Sequence, residues 1–248
     1  MSDRGWSRES QTALTFAPKD RRSRHNEQMA SPCKEKSGSE SSPVSSLAQR
    51  LGGEVVRRRS TAEDALFVAI DGRSGSGKST LAAALSAVLL ARYDLTCAVI
   101  EGDQFYAGGT PEEWDQRTPS EKADLVIDWR RQSEVLKQLR NNGAASWLPF
   151  DWEASDWYSD NPPLANTPVT CEVSDVVVLE GAYSSRPELH DLLDIRVLLD
   201  TPADQRRRQL LEREGDAYRT EWEARWSSAE NHYFGETMPS ERFDVILQ

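Results

Sequence analysis

The chain has 248 residues, which allows one α/β domain of ordinary size, with or without extensions. Its 41 acidic residues outnumber its 30 basic residues, and its net charge is −11. A nucleic-acid-binding scaffold would show a basic stripe, so this balance argues against one, although a few local donors can still form a positive pocket. No apolar run approaches the roughly 20 residues that cross a bilayer, and no secretory signal is recognisable. We therefore expect a soluble cytoplasmic protein without nucleic-acid or membrane partners.

Cysteine and histidine usage gives no sign of a metal site. Cys33, Cys97 and Cys171 are far apart, and the three histidines form no cluster with them. This spacing indicates a reduced compartment and argues against structural zinc.

The first 45 residues are polar and poor in aliphatic side chains. A stretch such as CKEKSGSESSPVSS cannot bury enough apolar surface to offset the conformational entropy lost on folding. We predict that residues 1–45 form a disordered N-terminal tail, either a docking or regulatory arm or a passive extension. Residues 46–248 then form a single domain.

Helical and strand patterns alternate from residue 46 onward. SLAQRLGGEVVRRR predicts a helix, LFVAI a buried strand, STLAAALSAVLLARY a buried helix, and TCAVIEGD a second strand that ends at Asp103. Residues 107–124 carry Gly, Pro and charged residues, which predicts a mobile loop. The segment WRRQSEVLKQLRNNG then predicts an amphipathic helix that ends at a glycine cap.

The second half of the domain continues this alternation. DVVVLEG and DIRVLLDTP predict buried strands, and FDVILQ predicts a closing strand. Between them, PADQRRRQLLEREGD and YRTEWEARWSSAENHYF predict charged helices. Strand and helix alternate throughout, which favours an α/β fold with a central parallel sheet flanked by helices on both faces.

The pattern G-x-x-x-x-G-K-S runs from Gly72 to Ser79, between the first predicted strand and the helix that follows it. This context is the one that a phosphate-binding loop requires, because glycines let the backbone wrap an oxyanion at the positive end of a helix. We predict that Lys78 reaches the β- and γ-phosphates of ATP and that Ser79 offers its hydroxyl to Mg²⁺. The predicted nucleotide-binding residues are Gly72, Arg73, Ser74, Gly75, Ser76, Gly77, Lys78, Ser79 and Thr80.

Two acidic residues end predicted strands, where ligands of such sheets bind. Glu180 in VVVLEG can orient Mg²⁺ directly or through a water. Asp103 in VIEGDQFY can accept a proton from an attacking hydroxyl. The alternative for each is a helix cap or a solvated loop acid. The sequence shows no Asn-Lys-x-Asp motif of a switch GTPase, and its second acidic strand ends in Glu-Gly rather than the Asp-Glu usual in motor ATPases.

These motifs resemble the uridine kinase and phosphoribulokinase group of P-loop kinases. The resemblance is carried by VAIDGRSGSGKSTLA, EGDQFY, the segment from DVVVLEG to QLLERE, and FDVIL, and it covers roughly residues 64–248. It implies a P-loop NTPase fold of the nucleoside-kinase type, with a helical lid near residues 202–235. It also implies phosphorylation of a hydroxyl on a small molecule by ATP. On this resemblance Asp103 is the general base and Glu180 serves Mg²⁺.

The resemblance further implies that arginines of the lid helix clamp the transferring phosphoryl group. Arg206 and Arg213 match that pattern and lie seven residues apart, which puts them on one helix face. A further arginine of the family falls on Gln209, with Arg208 as a neighbouring substitute. The alternative is that these arginines form a solvated helix face.

The acceptor site departs from the family. Uridine kinases carry a Tyr-Asp-Phe segment followed by a histidine and an arginine, whereas this chain has LPFDWEASDWY, with Phe150 and Ser155 near the tyrosine and histidine positions. Aromatic residues replace the missing groups and could stack a flat ring or form a β-hairpin packed on the core. Asp128 and Arg130 stand at the start of a predicted helix. They could bind an acceptor, or they could be ordinary residues of a helix terminus. The candidate acceptor residues are Tyr106, Asp128, Arg130, Phe150 and Trp152, with Trp147, Trp157 and Tyr158 in the same aromatic segment.

The sequence as a whole predicts an ATP- and Mg²⁺-dependent kinase of a small-molecule, nucleoside-like acceptor. The catalytic residues would be Asp103, Lys78, Arg206 and Arg213, and the metal ligands Ser79 and Glu180. The alternative from another class is an ATP-binding or ATP-hydrolysing regulatory or assembly protein that uses the lid as a switch. The sequence leaves the acceptor and homo-oligomer formation open.

Overall fold

The computed structural model describes residues 43–60, 64–154, 162–214 and 223–248. Its helices are α1 Pro43–Arg59, α2 Lys78–Tyr93, α3 Pro111–Gln116, α4 Pro119–Leu125, α5 Trp129–Asn142, α6 Ala203–Glu214 and α7 Glu223–His232. Its strands are β1 Leu66–Asp71, β2 Cys97–Glu101, β3 Ala144–Trp147, β4 Val169–Glu172, β5 Val176–Glu180, β6 Ile195–Leu199 and β7 Val245–Leu247. Short 3₁₀ turns occupy Gly102–Phe105, Pro187–Leu192 and Ser240–Arg242, and a π-helical turn, Tyr233–Thr237, follows α7.

Five of the strands form one parallel sheet in the order β2-β5-β1-β6-β7. β1 lies at its centre, with Val68 opposite Val178 of β5 on one side and Ile195 of β6 on the other. β3 and β4 form a separate antiparallel hairpin. The predicted central parallel sheet is therefore confirmed, and its parallel strands bring their carboxyl ends to one edge.

The two faces of the sheet explain why β1 is apolar throughout. Val68 and Ile70 point towards a core shared with α1 and α2, whereas Phe67 and Ala69 point towards a second core. That second core includes residues of α3, α4, α5, α7 and the hairpin. Because alternate side chains of a strand leave on opposite faces, a strand covered on both sides is apolar at every position.

The stretch predicted to be a mobile loop, residues 107–124, instead contains α3 and most of α4. Each helix begins with a reciprocal capping box followed by proline: Thr110 and Glu113 bond each other's backbone N–H in α3, as Thr118 and Glu121 do in α4. The pattern Thr-Pro-x-Glu was present in the sequence, so the prediction of a loop was wrong because Pro was interpreted only as a breaker.

The helix α3 and the lid helix α7 pack against each other. Trp114 of α3 lies 5.1 Å, ring centroid to ring centroid, from Trp226 of α7. Arg225 of α7 forms a two-pronged ion pair with Asp115, with N–O distances of 2.6 and 2.9 Å. These contacts hold α7 over the segment that follows β2.

Two predictions about organisation fall partly outside the described residues. α1 begins at Pro43, three residues before the expected domain start, and the remainder of the predicted tail, residues 1–42, is outside the described part of the chain. The predicted lid corresponds to α6, α7 and the π-helical turn. Residues 215–222 of that lid lie outside the described part of the chain. Among the described residues, no helix has both the length and the apolar character needed to cross a membrane.

The thiols that the structure describes are half-buried. Burial raises the pKa of Cys97 to about 11 and raises that of Cys171 as well. In the described ranges, no three His, Cys, Asp or Glu side chains are grouped as a metal site. The half-burial of the two thiols agrees with cysteines that act as packing residues.

Candidate active site

The phosphate loop connects β1 to α2 at the carboxyl edge of the sheet. Gly77 has a φ of +93° and α2 starts at the next residue, Lys78. Gly75 has a φ of +75°, and a Cβ added there would lie 2.6 Å from Cγ of Leu210 and 2.7 Å from the carbonyl oxygen of Arg206. Glycine is therefore required at position 75 both by the turn and by the close approach of the lid helix α6.

The predicted phosphate and metal residues lie together beside this loop. Lys78 Nζ donates to the carbonyl oxygens of Gly72 at 2.9 Å and Arg73 at 3.1 Å. Ser79 Oγ donates to Glu180 Oε1 at 2.8 Å, which joins the start of α2 to the end of β5. The loop therefore places an ammonium group, a hydroxyl and a carboxylate at one end of the sheet.

Glu180 is almost fully buried, and its environment perturbs its pKa. Burial raises the pKa of this carboxyl group, the hydrogen bond from Ser79 lowers it, and the charge of Asp103 raises it further. A positive group at this position would relieve that penalty, because it stabilises the ionised carboxylate.

Asp103 lies near Glu180 but not at a strand end. β2 stops at Glu101, whose register partner is Glu180, and Asp103 is exposed in the 3₁₀ turn that follows. A Cβ at Gly102 would lie 2.9 Å from the carbonyl oxygen of Glu180, so the missing side chain lets this turn approach β5 closely. We expected the strand that leads to Asp103 to lie next to the strand of the phosphate loop, and this expectation was wrong. β5 separates β2 from β1, so Asp103 is two strands away from the strand of the phosphate loop.

The two predicted clamp arginines differ in position. Arg206 lies against the phosphate loop: its Nε donates to the carbonyl oxygen of Thr201 at 3.1 Å and its Nη1 to that of Ser74 at 3.4 Å. Arg213 is exposed two turns further along α6. Arg208, considered as a substitute, is exposed and lies 3.8 Å from Asp204.

The aromatic candidates for acceptor binding form one packed group. Tyr106 stacks on Trp152 at 5.2 Å between ring centroids and meets Phe150 edge-on at 5.0 Å. Phe150 and Tyr106 are buried, and Trp152 is half-buried. The core alternative therefore describes Phe150 well, and Trp152 has the most accessible ring of the three. Trp157 and Tyr158 lie outside the described residues.

Asp128 and Arg130 stand at the start of α5. Asp128 is the N-cap of that helix, and its Oδ1 accepts a hydrogen bond from the backbone N–H of Arg131 at 3.2 Å. Arg130 is exposed, and its guanidinium lies 4.3 Å from the ring centroid of Trp129. The alternative that Asp128 is a helix-terminus residue thus explains the hydrogen bond of one of its two carboxylate oxygens.

Sequence reasoning missed a set of residues that link the lid to the loop. Glu230 of α7 is buried, accepts a hydrogen bond from the backbone N–H of Ser74 at 2.6 Å, and lies 3.9 Å from Arg73 and 4.0 Å from Arg206. A charged helix gave no indication which of its acids would be buried. Asp71, at the end of β1, was also missed, although an acid that ends an otherwise apolar strand was visible in LFVAID.

A cavity of about 630 Å³ lies between the two lid helices and the outer side of the phosphate loop. Its lining includes Arg73, Arg206 and Glu230, whereas Ser79, Glu180 and Asp103 lie outside it. This cavity therefore borders the lid helices rather than the carboxylates of Glu180 and Asp103.

The residues present fit a magnesium ion. Ser79 Oγ and Glu180 Oε1 are oxygen atoms of the kind that ligate Mg²⁺, and they are in direct contact at the N-terminus of the helix that carries Lys78. Mg²⁺ is usually bound by one or two protein oxygens together with waters and substrate phosphates, so a full cage of protein ligands is not needed.

The profile of the phosphoribulokinase/uridine kinase family matches residues 67–220, which is more than half of the chain. The chain belongs to this family. The family match includes the phosphate loop, Asp103, Glu180 and both predicted clamp arginines. The resemblance inferred from the motifs is therefore confirmed.

Similar curated proteins include uridine kinases. The uridine kinase of Alkaliphilus metalliredigens is 30% identical over 143 residues, 57% of this chain and 64% of that protein. The uridine kinase of Macrococcus caseolyticus is 28% identical over 142 residues, 56% of this chain and 64% of that protein. The matched part of the chain thus spans 64% of the length of these family members.

Solved structures of low sequence identity share the fold. A protein described as a possible uridine kinase from Bacillus stearothermophilus has a TM-score of 0.57 at 23% identity, over 80% of this chain and 100% of that chain. D-glycerate 3-kinase from Cryptococcus neoformans also has a TM-score of 0.57, at 14% identity over 81% and 92% of the two chains. These likenesses show the α/β P-loop NTPase fold of the family.

Proposed function

We propose that this protein is an ATP-dependent small-molecule kinase that transfers the γ-phosphoryl group of ATP to an acceptor hydroxyl. The observation that carries the proposal is the contact between Ser79 and Glu180 beside the phosphate loop, with Asp103 on the neighbouring strand's turn. Family membership supports the same reaction class. We expect the protein to act in the cytoplasm, on a soluble acceptor rather than on nucleic acid or membrane.

The phosphate loop would hold the nucleotide. Its backbone N–H groups and the N-terminus of α2 favour negative charge, and Lys78 would exchange its two carbonyl contacts for phosphate oxygens. Ser79 and Glu180 would hold Mg²⁺. When bound, Mg²⁺ neutralises negative charge on the phosphate oxygens. Catalysis of phosphoryl transfer is mostly positioning and charge stabilisation, which these residues supply.

Asp103 would serve the acceptor. Its carboxylate is exposed at the carboxyl edge of the sheet, so it is free to accept the proton of the attacking hydroxyl. Arg206 lies against the phosphate loop, where its guanidinium would stabilise negative charge on the transferring group.

The side chains near Asp103 favour one chemical class of acceptor molecule. Tyr106 and Trp152 offer stacked aromatic surface next to the 3₁₀ turn, and Asp128 offers a carboxylate oxygen at the start of α5. A hydroxylated molecule with a flat or apolar part suits these groups. Similar proteins are uridine kinases, so uridine is the first acceptor to test, although the buried Phe150 replaces the family's tyrosine.

The test is ADP formation from ATP and Mg²⁺ with a panel of nucleosides, sugars, vitamins and amino-alcohols, with the phosphorylated product identified by mass spectrometry. Acceptor-dependent ADP formation with a matching product is expected. ADP formation that no acceptor changes, but that a protein partner raises, would overturn the proposal in favour of a lid-switched regulatory ATPase.

A further inference from the structure

Asp71, the last residue of β1, carries a fully buried carboxylate that the proposed chemistry does not use. Its Oδ1 accepts hydrogen bonds from the backbone N–H of Gly72 at 2.7 Å and of Tyr183 at 3.0 Å. Its Oδ2 accepts from the backbone N–H of Ser185 at 2.9 Å and from the hydroxyl of Tyr233 at 2.9 Å. Four donors thus use the acceptor positions that an ionised carboxylate offers.

The four donors come from three segments that each carry part of the site. Gly72 opens the phosphate loop, and its carbonyl oxygen accepts the hydrogen bond from Lys78. Tyr183 and Ser185 follow the metal-site residue Glu180 by three and five residues. Tyr233 follows Glu230, the acid that contacts the loop, by three residues at the end of α7. One buried side chain therefore joins the loop, the segment after β5 and the lid.

The segment after β5 has a backbone that needs such a restraint. Tyr183 has a φ of +65°, in the left-handed region that residues other than glycine seldom adopt. Such conformations persist where surrounding contacts hold them, and they cluster at functional sites. The bond from its N–H to Asp71 and the edge-on contact of its ring with Tyr233, at 4.7 Å between centroids, are contacts of this kind.

We propose that Asp71 is a positioning residue for phosphoryl transfer, whose ionised carboxylate holds the phosphate loop, the Glu180 segment and the lid in the nucleotide-binding arrangement. This inference rests on the proposed function. A proton placed towards the backbone N–H of Gly72, Tyr183 or Ser185 would leave that N–H buried without an acceptor, which is costly. A proton placed towards Tyr233 would require its hydroxyl to turn and accept, and the protonated oxygen would be a weaker acceptor for the N–H of Ser185. In either case the arrangement would loosen.

The Asp71 carboxyl group changes its charge state just below neutral pH. Burial raises its pKa to about 6, against the lowering effects of the hydrogen bonds from Ser185, Tyr233 and Gly72 and of the charge of Lys78. An ionised Asp71 therefore predominates at pH 7 and is lost as the pH falls through about 6.

The other titratable groups around this carboxylate are separable from it. Burial raises the pKa values of the Tyr183 and Tyr233 hydroxyls well above the ordinary value, so both side chains remain neutral and that of Tyr233 remains a donor to Asp71. His190 contacts the carbonyl oxygen of Ser185 at 3.0 Å, and burial lowers its pKa, so it requires its own control. The remaining charged groups acting on the two tyrosines are Glu230, Arg73 and Arg186.

The test is the affinity of the full chain for AMP-PNP with saturating Mg²⁺, titrated calorimetrically between about pH 5 and 8. We expect wild-type affinity to fall about tenfold or more towards pH 5, the order of one hydrogen bond to a charged group. Asp71→Asn should bind weakly with little pH dependence. Tyr233→Phe removes a bond that favours the carboxylate, so its midpoint should move to higher pH. Each variant is compared with the wild type at the same pH, so that protonation of the nucleotide affects both affinities equally.

Two control variants and a stability measurement complete the design. His190→Gln should keep the wild-type midpoint. Asp175→Asn should keep wild-type affinity, because Asp175 accepts bonds from Thr96 before β5, at the opposite end of that strand. The raised pKa of Asp71 means that the folded state holds its proton more tightly than the unfolded chain does. Its contribution to stability therefore falls as the pH rises from 3.8 to about 6, opposite to the affinity.

The outcomes separate this inference from the proposed function. Equal affinity and equal pH dependence in the wild type and Asp71→Asn would overturn the positioning role. If Asp71→Asn does not fold, an unshifted midpoint in Tyr233→Phe overturns it instead. A wild-type chain that does not bind AMP-PNP at any pH would refute the proposed function and, with it, this inference.

Discussion

At the carboxyl edge of the sheet, the phosphate side and the acceptor side of the site differ in how they are built. The phosphate loop and the start of its helix cover eight consecutive residues, Gly72–Ser79, and would act mainly through backbone N–H groups. The predicted acceptor residues come from three segments: the end of the 3₁₀ turn, the start of α5 and the stretch after β3. A site made from consecutive backbone is set by a local motif, whereas a site made from scattered side chains is set by tertiary packing.

The contacts that the side chains already make sharpen this contrast. On the phosphate side, Ser79 and Glu180 contact each other directly. On the acceptor side, Asp128 already caps its own helix and Phe150 is buried in the core. We infer that nucleotide binding is the more constrained property and that acceptor choice rests on fewer accessible groups, chiefly Asp103 and Trp152.

Asp103→Asn provides the largest expected separation of the two sides. The change keeps the size of the side chain but removes the proton acceptor, so phosphoryl transfer should fall by roughly 10²- to 10⁴-fold. Nucleotide affinity should be retained, because Lys78, Ser79 and the loop are unchanged. Product formation by mass spectrometry and AMP-PNP titration measure the two properties.

Glu101→Gln is the matched control for this variant. Glu101 is also exposed, ends β2 two residues earlier, and likewise raises the pKa of Glu180 through its charge. Its loss should leave transfer close to the wild-type rate. If Asp103→Asn instead loses nucleotide affinity together with activity, Asp103 belongs to the phosphate side and the division proposed above is wrong.

Lys78→Ala tests the phosphate side directly. Removing one preorganised donor should lower ATP turnover by roughly 10²- to 10³-fold. The melting temperature should change little, because the hydrogen bonds of Lys78 Nζ to described residues end on carbonyl oxygens of its own loop. Steady-state turnover and thermal unfolding check the two expectations, and unchanged turnover would remove Lys78 from the site.

The sequence predicted the phosphate side better than its surroundings, for a physical reason. The pattern from Gly72 to Ser79 encodes a backbone turn and a helix start locally, so its position followed from the motif. The burial of Asp71 and Glu230 depends on α7 packing onto the loop, more than 150 residues away in sequence. Local patterns carry no record of such contacts, so Glu230 was not predicted, and LFVAID marked Asp71 only as an acid that ends an apolar strand.

The short helices α3 and α4 could have been predicted from a different signal. Thr110 and Thr118 each precede a Pro and stand three residues before a Glu, so both capping boxes were readable in the sequence. Their helices have only six and seven residues, too short for apolar periodicity to show. Capping chemistry rather than periodicity was the informative signal in this stretch.

Arg206→Ala tests whether the lid belongs to the phosphate side. Its guanidinium lies against the loop. Losing an interaction that is made mainly with the transferring group should lower kcat, by about tenfold to a hundredfold, more than it raises KM. Arg208→Ala, exposed on the same helix, should change kcat little. Steady-state kinetics of both variants suffice. An effect on KM alone, or equal effects of both variants, would contradict the clamp role.

Trp152→Ala carries the smallest expected effect and tests the acceptor side. Trp152 is half-buried and stacks on Tyr106 at 5.2 Å, so the accessible part of its side chain can contact an acceptor. We expect the acceptor KM to rise about threefold to tenfold, the order of one aromatic contact, with kcat nearly preserved. Steady-state kinetics at varied acceptor concentration measure this.

Trp147→Ala is the structural counterpart of this variant. Trp147 is buried, stacks on Phe105 at 5.8 Å, and its Nε1 donates to Gln104 Oε1 at 2.8 Å. Its removal should cost about 3–5 kcal/mol of stability, the range for a buried tryptophan. Trp152→Ala should cost far less, because its ring is only partly enclosed. If both variants unfold at the same lowered temperature and neither changes the acceptor KM, the aromatic group is core packing throughout. The acceptor would then have to be recognised by Asp103 and Asp128 without a stacking surface.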